Sequence, residues 1–209
     1  MLKVERTSVM NLENAIRGAR NPLNSWSKSD SYYDESGNYI LGEEDLKLAT
    51  RLIKAGSDER KFLRQIFVSV DITAPLYWWK EFDTYKVGTV ANSTSTMHKI
   101  HAKAFDRDDF SHDKLDGDGL AALDALIAYL EGERQRFVED KTNKAAWYHM
   151  IQMLPSSYNQ MRTVTMNYEN LINMYYARRF HKLAEWHVLC DWITSLPFAD
   201  KLICYREDN

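Results

Sequence analysis

Cysteine is scarce. Cys190 and Cys204 are the two in 209 residues, too few for a disulfide framework. No His–Cys pairing can be read from their spacing, and Cys190 falls on the apolar stripe of a helical segment, so packing explains it better than nucleophilic chemistry does. Proline occurs four times and glycine eight, which excludes a collagen-like chain, and neither GxGxxG nor a P-loop pattern occurs. Neither charge sign is in excess: 27 Lys and Arg stand against 30 Asp and Glu, a formal net charge of −3. No general attraction to nucleic acid or to an anionic membrane follows from that balance. Long hydrophobic runs are also missing. Asp124 interrupts LAALDALIAYL and Asp191 interrupts WHVLCDWITSLPF, so neither reaches the roughly 20 apolar residues of a membrane span. With no apolar signal segment in MLKVERTSVM, the chain reads as soluble and cytoplasmic.

Aromatic residues, in contrast, make up 12%: six Trp, twelve Tyr and eight Phe. Flat amphipathic side chains of this kind serve cores, interfaces and planar ligands alike. The polar, tyrosine-rich segment Ser25–Gly42 reads as a loop. Glu43–Ala55 carries Leu46, Ala49, Leu52 and Ile53 at helical spacing and stops at Gly56. Ile66, Val68, Val70 and Ile72 alternate with Phe67, Ser69, Asp71 and Thr73, the period of a strand, which Pro75 ends. A short helix over LYWWKEFDTY follows. The segment 86–97, KVGTVANSTSTM, is rich in small hydroxyl, amide and glycine residues and reads as a loop able to hydrogen-bond densely. Leu115–Val138 and Asn143–Met153 are predicted helices, as are Asn167–Arg178 and Leu183–Leu196. The expectation is an α+β chain: one helix-rich domain over 1–209 with a small antiparallel sheet.

Two metal signals are weak. The acids of DKLDGDGL, from Asp113 to Leu120, miss the alternating positions of a calcium loop, and a polar turn feeding a helix accounts for them. His98 and His101 lack a third ligand nearby, so no metal is expected. The informative stretch is NYENLINMYYARRFHKLAEWH, from Asn167 to His187. At helical spacing Asn167, Leu171, Met174 and Arg178 share one face, so a guanidinium and an amide lie on an apolar stripe. Such an arginine needs a partner: an internal carboxylate, solvent reached by snorkelling, or an external phosphate or heterocycle edge.

LPSSYNQMRTVTMNYENLINMYYARRFHKLAEW resembles the C-terminal half of the flavin-dependent thymidylate synthases. Leu154, Pro155, Asn167, Leu171, Asn173, Arg178 and Trp186 fall where that family's pattern wants them, with a one-residue slip after Arg178. LIKAGSDERKFLRQIFVSVDITAPLYWWKEF is similar to the family's helix, turn and strand ending in Ala-Pro, here Ala74-Pro75, and NLENAIRGAR is similar to its N-terminal segment. The resemblance implies a homotetramer with FAD lodged where subunits meet and a pyrimidine nucleotide, dUMP or an analogue, stacked on the flavin. Methylenetetrahydrofolate supplies the carbon and NADPH the reducing equivalents. Carried onto this chain, Lys86, Val87, Asn92, Asn167, Asn173 and His181 contact the flavin, while Gln65, Glu81, Ser95 and Arg178 meet the nucleotide. Ser95 and Arg178 are the expected catalytic pair, Arg178 holding the uracil edge.

Departures from the pattern fall mainly in TYKVGTVANSTSTMH. Asn92 and Ser95 keep their places, but Lys86 stands where an arginine is expected, and Thr84, Tyr85, Val90 and Met97 replace the rest of an Arg-His-Arg and Ser-x-Asn-x-x-Ser-x-Arg signature. Gln65 stands for a histidine, Glu81 for a glutamine and Ile151 for an arginine. Most fixed positive charge for phosphates is thereby lost. Two readings stay open: a divergent one-carbon transferase acting on a pyrimidine nucleotide, or a non-catalytic flavin- or nucleotide-binding assembly protein with the same fold.

Overall fold

A computed structural model describes residues 2–205. In chain order the elements are β1 (Lys3–Met10), α1 (Leu12–Ala19), β2 (Tyr32–Tyr33), β3 (Tyr39–Ile40), α2 (Glu43–Ala55), β4 (Phe67–Pro75), α3 (Leu76–Phe82) and β5 (Val90–Ser93). They continue with α4 (Gly117–Glu139), α5 (Lys144–Gln152), β6 (Asn159–Asn167), α6 (Tyr168–Arg178), α7 (Ala184–Thr194) and α8 (Ala199–Leu202). A four-stranded sheet has the order β1-β4-β6-β5, and β2 and β3 form a small antiparallel hairpin with Tyr32 opposite Ile40. The helix-rich α+β class expected from the sequence is the one found. Among the described residues no helix is long and apolar enough to cross a membrane.

The chain divides into two compact units, one built mainly of Asp71–Thr84 and Asn92–Thr163, the other of Val4–Val70, Tyr85–Ala91 and the chain from Val164 onward. In the first, α4 and α5 pack Leu123, Leu130 and Met150 against Ile100, Phe105 and Phe110. The acidic turn before α4 proves to be a cap: the Asp116 carboxylate accepts the Gly119 N–H at 2.9 Å, satisfying one of the donors a helix start leaves open. Asn143 caps α5 in the same way through the Ala146 N–H. On α3, Trp78, Trp79 and Phe82 are buried and pack edge to face. Arg162 of β6 lies 4.2 Å over the Trp79 ring while its Nη1 meets Asp83 at 2.7 Å.

In the second unit, α2 buries Asp45, Ala49 and Ile53, α6 buries Leu171, Ile172 and Met174, and α7 buries Trp186, Leu189, Cys190 and Ile193. Each of the larger aliphatic side chains, such as Ile53, Leu171 or Ile193, contributes about 1.5–3 kcal/mol by leaving water. Arg20 and Arg60 each hold an enclosed acid in this core. Arg20 donates from Nε to Asp45 at 2.5 Å. Arg60, in the short 3-10 turn that leads to β4, grips Glu169 of α6 with two nitrogens at 2.8 and 2.9 Å and donates a third bond to the Tyr205 hydroxyl at 2.7 Å. Tyr168 is fully buried beside this pair, its hydroxyl donating to the Pro197 carbonyl, and burial drives its phenol above the usual range.

The differences from the sequence reading are local. Ser25–Gly42 contains the β2–β3 hairpin in addition to short turns. The segment 86–97 is not wholly loop, since β5 occupies Val90–Ser93 with every residue exposed. A strand with no buried side carries no period-2 apolar signal, so its formation rests on backbone pairing with β6.

Candidate functional site

Asn167 closes β6 and opens α6. Its side chain accepts from the Asn170 N–H at 3.0 Å, and the Asn170 side chain accepts in return from the Asn167 N–H at 3.2 Å, a reciprocal cap that fixes both amides. Asn170 also donates from Nδ2 to the Val87 carbonyl at 2.6 Å, which holds the segment Tyr85–Thr89 along the start of α6. Gly88 permits this approach. It has φ +80°, and a Cβ there would lie 3.0 Å from both Asn167 Nδ2 and Asn170 Oδ1, so any larger residue meets a strained backbone and a crowded amide pair together.

Three turns further along α6, Arg178 is half-buried. Its Nε donates to the Tyr85 hydroxyl at 2.9 Å, and its guanidinium carbon lies 4.7 Å from the Trp186 ring centre and 5.6 Å from that of Tyr85. Those two rings meet edge to face with centres 6.0 Å apart. Flat cations favour such aromatic faces, a contact worth about 0.5–2 kcal/mol. To the partners expected for Arg178, an internal carboxylate, solvent, or an external phosphate or heterocycle edge, the structure adds one that was not expected: the rings of Tyr85 and Trp186. His181 completes the group, its ring 6.3 Å from Trp186. His181 Nδ1 accepts the Leu183 N–H at 3.2 Å, which places its ring proton on Nε2. His187 Nε2 donates to the His181 carbonyl at 2.7 Å.

The remaining expected site residues fall as follows. Lys86 and Val87 are exposed on the same held segment, Val87 strongly so at 88%. Asn173 is exposed on α6. Gln65 ends the 3-10 turn before β4, where its carbonyl accepts from Asn11 Nδ2 at 2.9 Å. Glu81, Asn92 and Ser95 belong to the other compact unit. There Asn92 is exposed on β5, and Ser95 Oγ accepts the N–H groups of Met97 and His98 at 3.2 and 2.8 Å, so its own hydroxyl proton can still be donated. Sequence reasoning missed Tyr85, which it registered only as a lost signature residue, and the anchoring of Val87 by Asn170. The glycine of TYKVG, two residues after a lysine in a polar run, was the one available sign of a tight approach.

Among the described residues no cluster of three or more His, Cys, Asp or Glu could hold a metal. The Tyr85 and Trp186 rings beside Arg178 are planar groups, a chemistry suited to a heterocycle. Lys86 is the one Lys or Arg between Thr84 and Met97, so in that segment a diphosphate has a single cation to meet. The donor set therefore fits the ring portion of a flavin or pyrimidine better than it fits a diphosphate.

The architecture is that of the flavin-dependent thymidylate synthases. The chain superimposes on thymidylate synthase X from Helicobacter pylori with FAD and dUMP at a TM-score of 0.67 and 17% identity, over 97% of each chain. A second structure of that enzyme complexed with FAD and dUMP gives 0.66 and 18%, covering 96% of this chain and 97% of the other. A UMP/dUMP methylase, PolB from Streptomyces cacaoi, bound with 5-Br dUMP, gives 0.65 and 13%, covering 98% and 95%. No protein-family model and no curated protein sequence matches the chain.

Proposed function

We propose that this protein binds FAD and a pyrimidine nucleotide, and transfers a one-carbon unit from methylenetetrahydrofolate to the nucleotide with NADPH as reductant. The observation that carries the reading is Arg178, fixed between Tyr85 and Trp186 on the helix that Asn167 opens, in a fold shared with enzymes solved with FAD and dUMP. Bound flavin supplies the carbon and hydride relay. The chain's own residues bind and orient. Arg178 presents a guanidinium to the carbonyl edge of the base and stabilises charge that develops there, and its cage limits the freedom lost on binding. Asn167 and Asn173 with Lys86, Val87, Asn92 and His181 hold the flavin. Gln65, Glu81 and Ser95 meet the nucleotide, Ser95 donating its hydroxyl proton. A cytoplasmic homotetramer completes the proposal.

A second reading is favoured by one feature: the segment 84–97 keeps Lys86 as its single Lys or Arg. On that reading the protein retains a flavin or nucleotide pocket and acts in binding or assembly, without turnover. The visible spectrum separates the two. Flavin absorption that dUMP perturbs, with methylated nucleotide formed when methylenetetrahydrofolate and NADPH are added, supports the enzyme. A perturbed spectrum without product supports the binding protein. A colourless protein that FAD cannot reconstitute refutes the flavin assignment. Arg178→Ala is expected to weaken nucleotide binding by roughly tenfold or more, about 1.4 kcal/mol, with an unchanged far-ultraviolet spectrum; equal affinity in the variant removes Arg178 from the site.

A further inference from the structure

A cavity of about 360 Å³ opens in the second unit against the outward face of α2, a size within the range that holds metabolite-sized ligands. Four cations line it, Arg20, Lys28, Lys47 and Arg51, with Glu44 the one acid and Ser25 a further polar group. Lys47 is engaged by Glu44 at 2.7 Å and lies 3.9 Å from Glu43. Lys28 and Arg51 are exposed and have no acidic partner among the described residues.

Arg20 is the unusual member. It is 4% exposed. Nε is held by Asp45 at 2.5 Å and Nη1 reaches the Ser25 carbonyl at 3.4 Å, but Nη2 is buried with no acceptor among the described residues. Asp45 cannot supply that acceptor from its second oxygen, which already takes the Ser29 hydroxyl and both the N–H and hydroxyl of Ser31. That nitrogen is closed off from solvent, so what a ligand in the cavity meets is the edge of Arg20 that lines it. A rigid planar fork backed by two uncompensated cations is the chemistry that recognises phosphate.

We propose that this cavity binds a phosphate group, free or carried on a nucleotide, with the exposed Lys28 and Arg51 as its donors and the charge of Arg20 in its wall behind them. It shares no residue with the Arg178 site. The test is calorimetric titration of the full chain at low salt with two probes, inorganic phosphate and ADP. The wild type is expected to bind at one site per chain. Exchanging both exposed cations, Lys28→Glu with Arg51→Glu, is expected to weaken binding by roughly tenfold or more, as charge reversal at a recognition site does. Lys80→Glu, an exposed cation on α3 away from the cavity, is expected to bind as wild type does. Tighter binding of ADP assigns the phosphate to a nucleotide, and equal binding assigns it to the free ion. No binding of either probe by the wild type at millimolar concentration overturns the proposal, as does unchanged affinity in the double variant. An equal loss in Lys80→Glu also overturns it, since the effect then follows net charge and not this cavity. Failure of flavin or dUMP to bind at Arg178 leaves this outcome untouched.

Discussion

Glu169→Gln tests the enclosed ion pair that ties the approach to β4 to the first turn of α6. Arg60 and Glu169 have side chains only 8% and 11% exposed, and two nitrogens of the fork meet the carboxylate at 2.8 and 2.9 Å. The exchange keeps shape and volume but leaves the guanidinium enclosed beside a neutral amide, with the Tyr205 hydroxyl accepting from Nη1 at 2.7 Å. Breaking a buried pair on one side costs about 3–5 kcal/mol, whereas replacing both members by apolar residues of similar volume is often neutral. At about 2–4 °C per kcal/mol for a chain of this length, the melting temperature falls by roughly 6–20 °C in the single variant. Arg60→Met with Glu169→Leu is expected to recover to within about 1 kcal/mol of the wild type. Glu169 raises the Arg60 pKa further above its ordinary value by hydrogen bonding. A group with a raised folded pKa stabilises below its unfolded pKa, so this contribution is constant over neutral pH. It also persists at high salt, because enclosed pairs are poorly screened. Scanning calorimetry of the three proteins at low and at 1 M salt gives the answer. A single-variant loss under about 1 kcal/mol, or one that vanishes in salt as an exposed pair's does, refutes the reasoning.

Three further outcomes are expected. Burial raises the Asp45 carboxyl, but hydrogen bonds from Ser31, Ser29 and Arg20 outweigh it and leave the group below the usual range. A lowered folded pKa gives stability above the unfolded value near about 3.9 that is lost as pH falls through the folded one, so Asp45→Asn is expected to flatten acid denaturation below about pH 4; an unaltered acid limb in urea titrations counts against it. Burial pushes the Cys190 thiol up to about 12 and raises Cys204 as well, so iodoacetamide at pH 8 is expected to label neither quickly in the native protein and both after unfolding, as read by mass spectrometry. Gly88→Ala combines positive φ with the 3.0 Å approach to Asn167 and Asn170; a cost of about 1–3 kcal/mol is expected, and hydrogen exchange at Val87–Thr89 rises if the segment lifts from α6, while unchanged protection disproves the contact.

The elements legible from sequence are those with one face in a core. Glu43–Ala55 is a helix over the whole range expected, because Ala49 and Ile53 lie on the buried side and Gly56 ends it. Ile66, Val68, Val70 and Ile72 are all buried, so β4, an inner strand of its sheet, carries a clear alternation. The outer strands of the same sheet were missed. β1 has no buried residue and β5 is exposed throughout; an edge strand is held by backbone hydrogen bonds on one side, and these leave no mark in side-chain identity. The β2–β3 hairpin escaped for a related reason, since each strand is two residues long.

The site divides along the same line. Asn167, Leu171, Met174 and Arg178 could be placed on one stripe because helical spacing is local, and Asn167, Leu171 and Met174 are buried as that stripe requires. What surrounds Arg178 is not local. Tyr85 lies 93 positions away in the chain. Its hydroxyl and ring act on Arg178 together with Trp186, whose place on the buried face of α7 was legible while its contact with the guanidinium was not. Tyr85 thus supplies what its place in the sequence did not announce: a hydroxyl that meets Nε of Arg178 and a ring beside its guanidinium. Tyr85→Phe isolates that role. It deletes the hydrogen bond at 2.9 Å and keeps the ring, so if orientation is what Tyr85 supplies, nucleotide affinity falls while the fold and the flavin spectrum stay as they are.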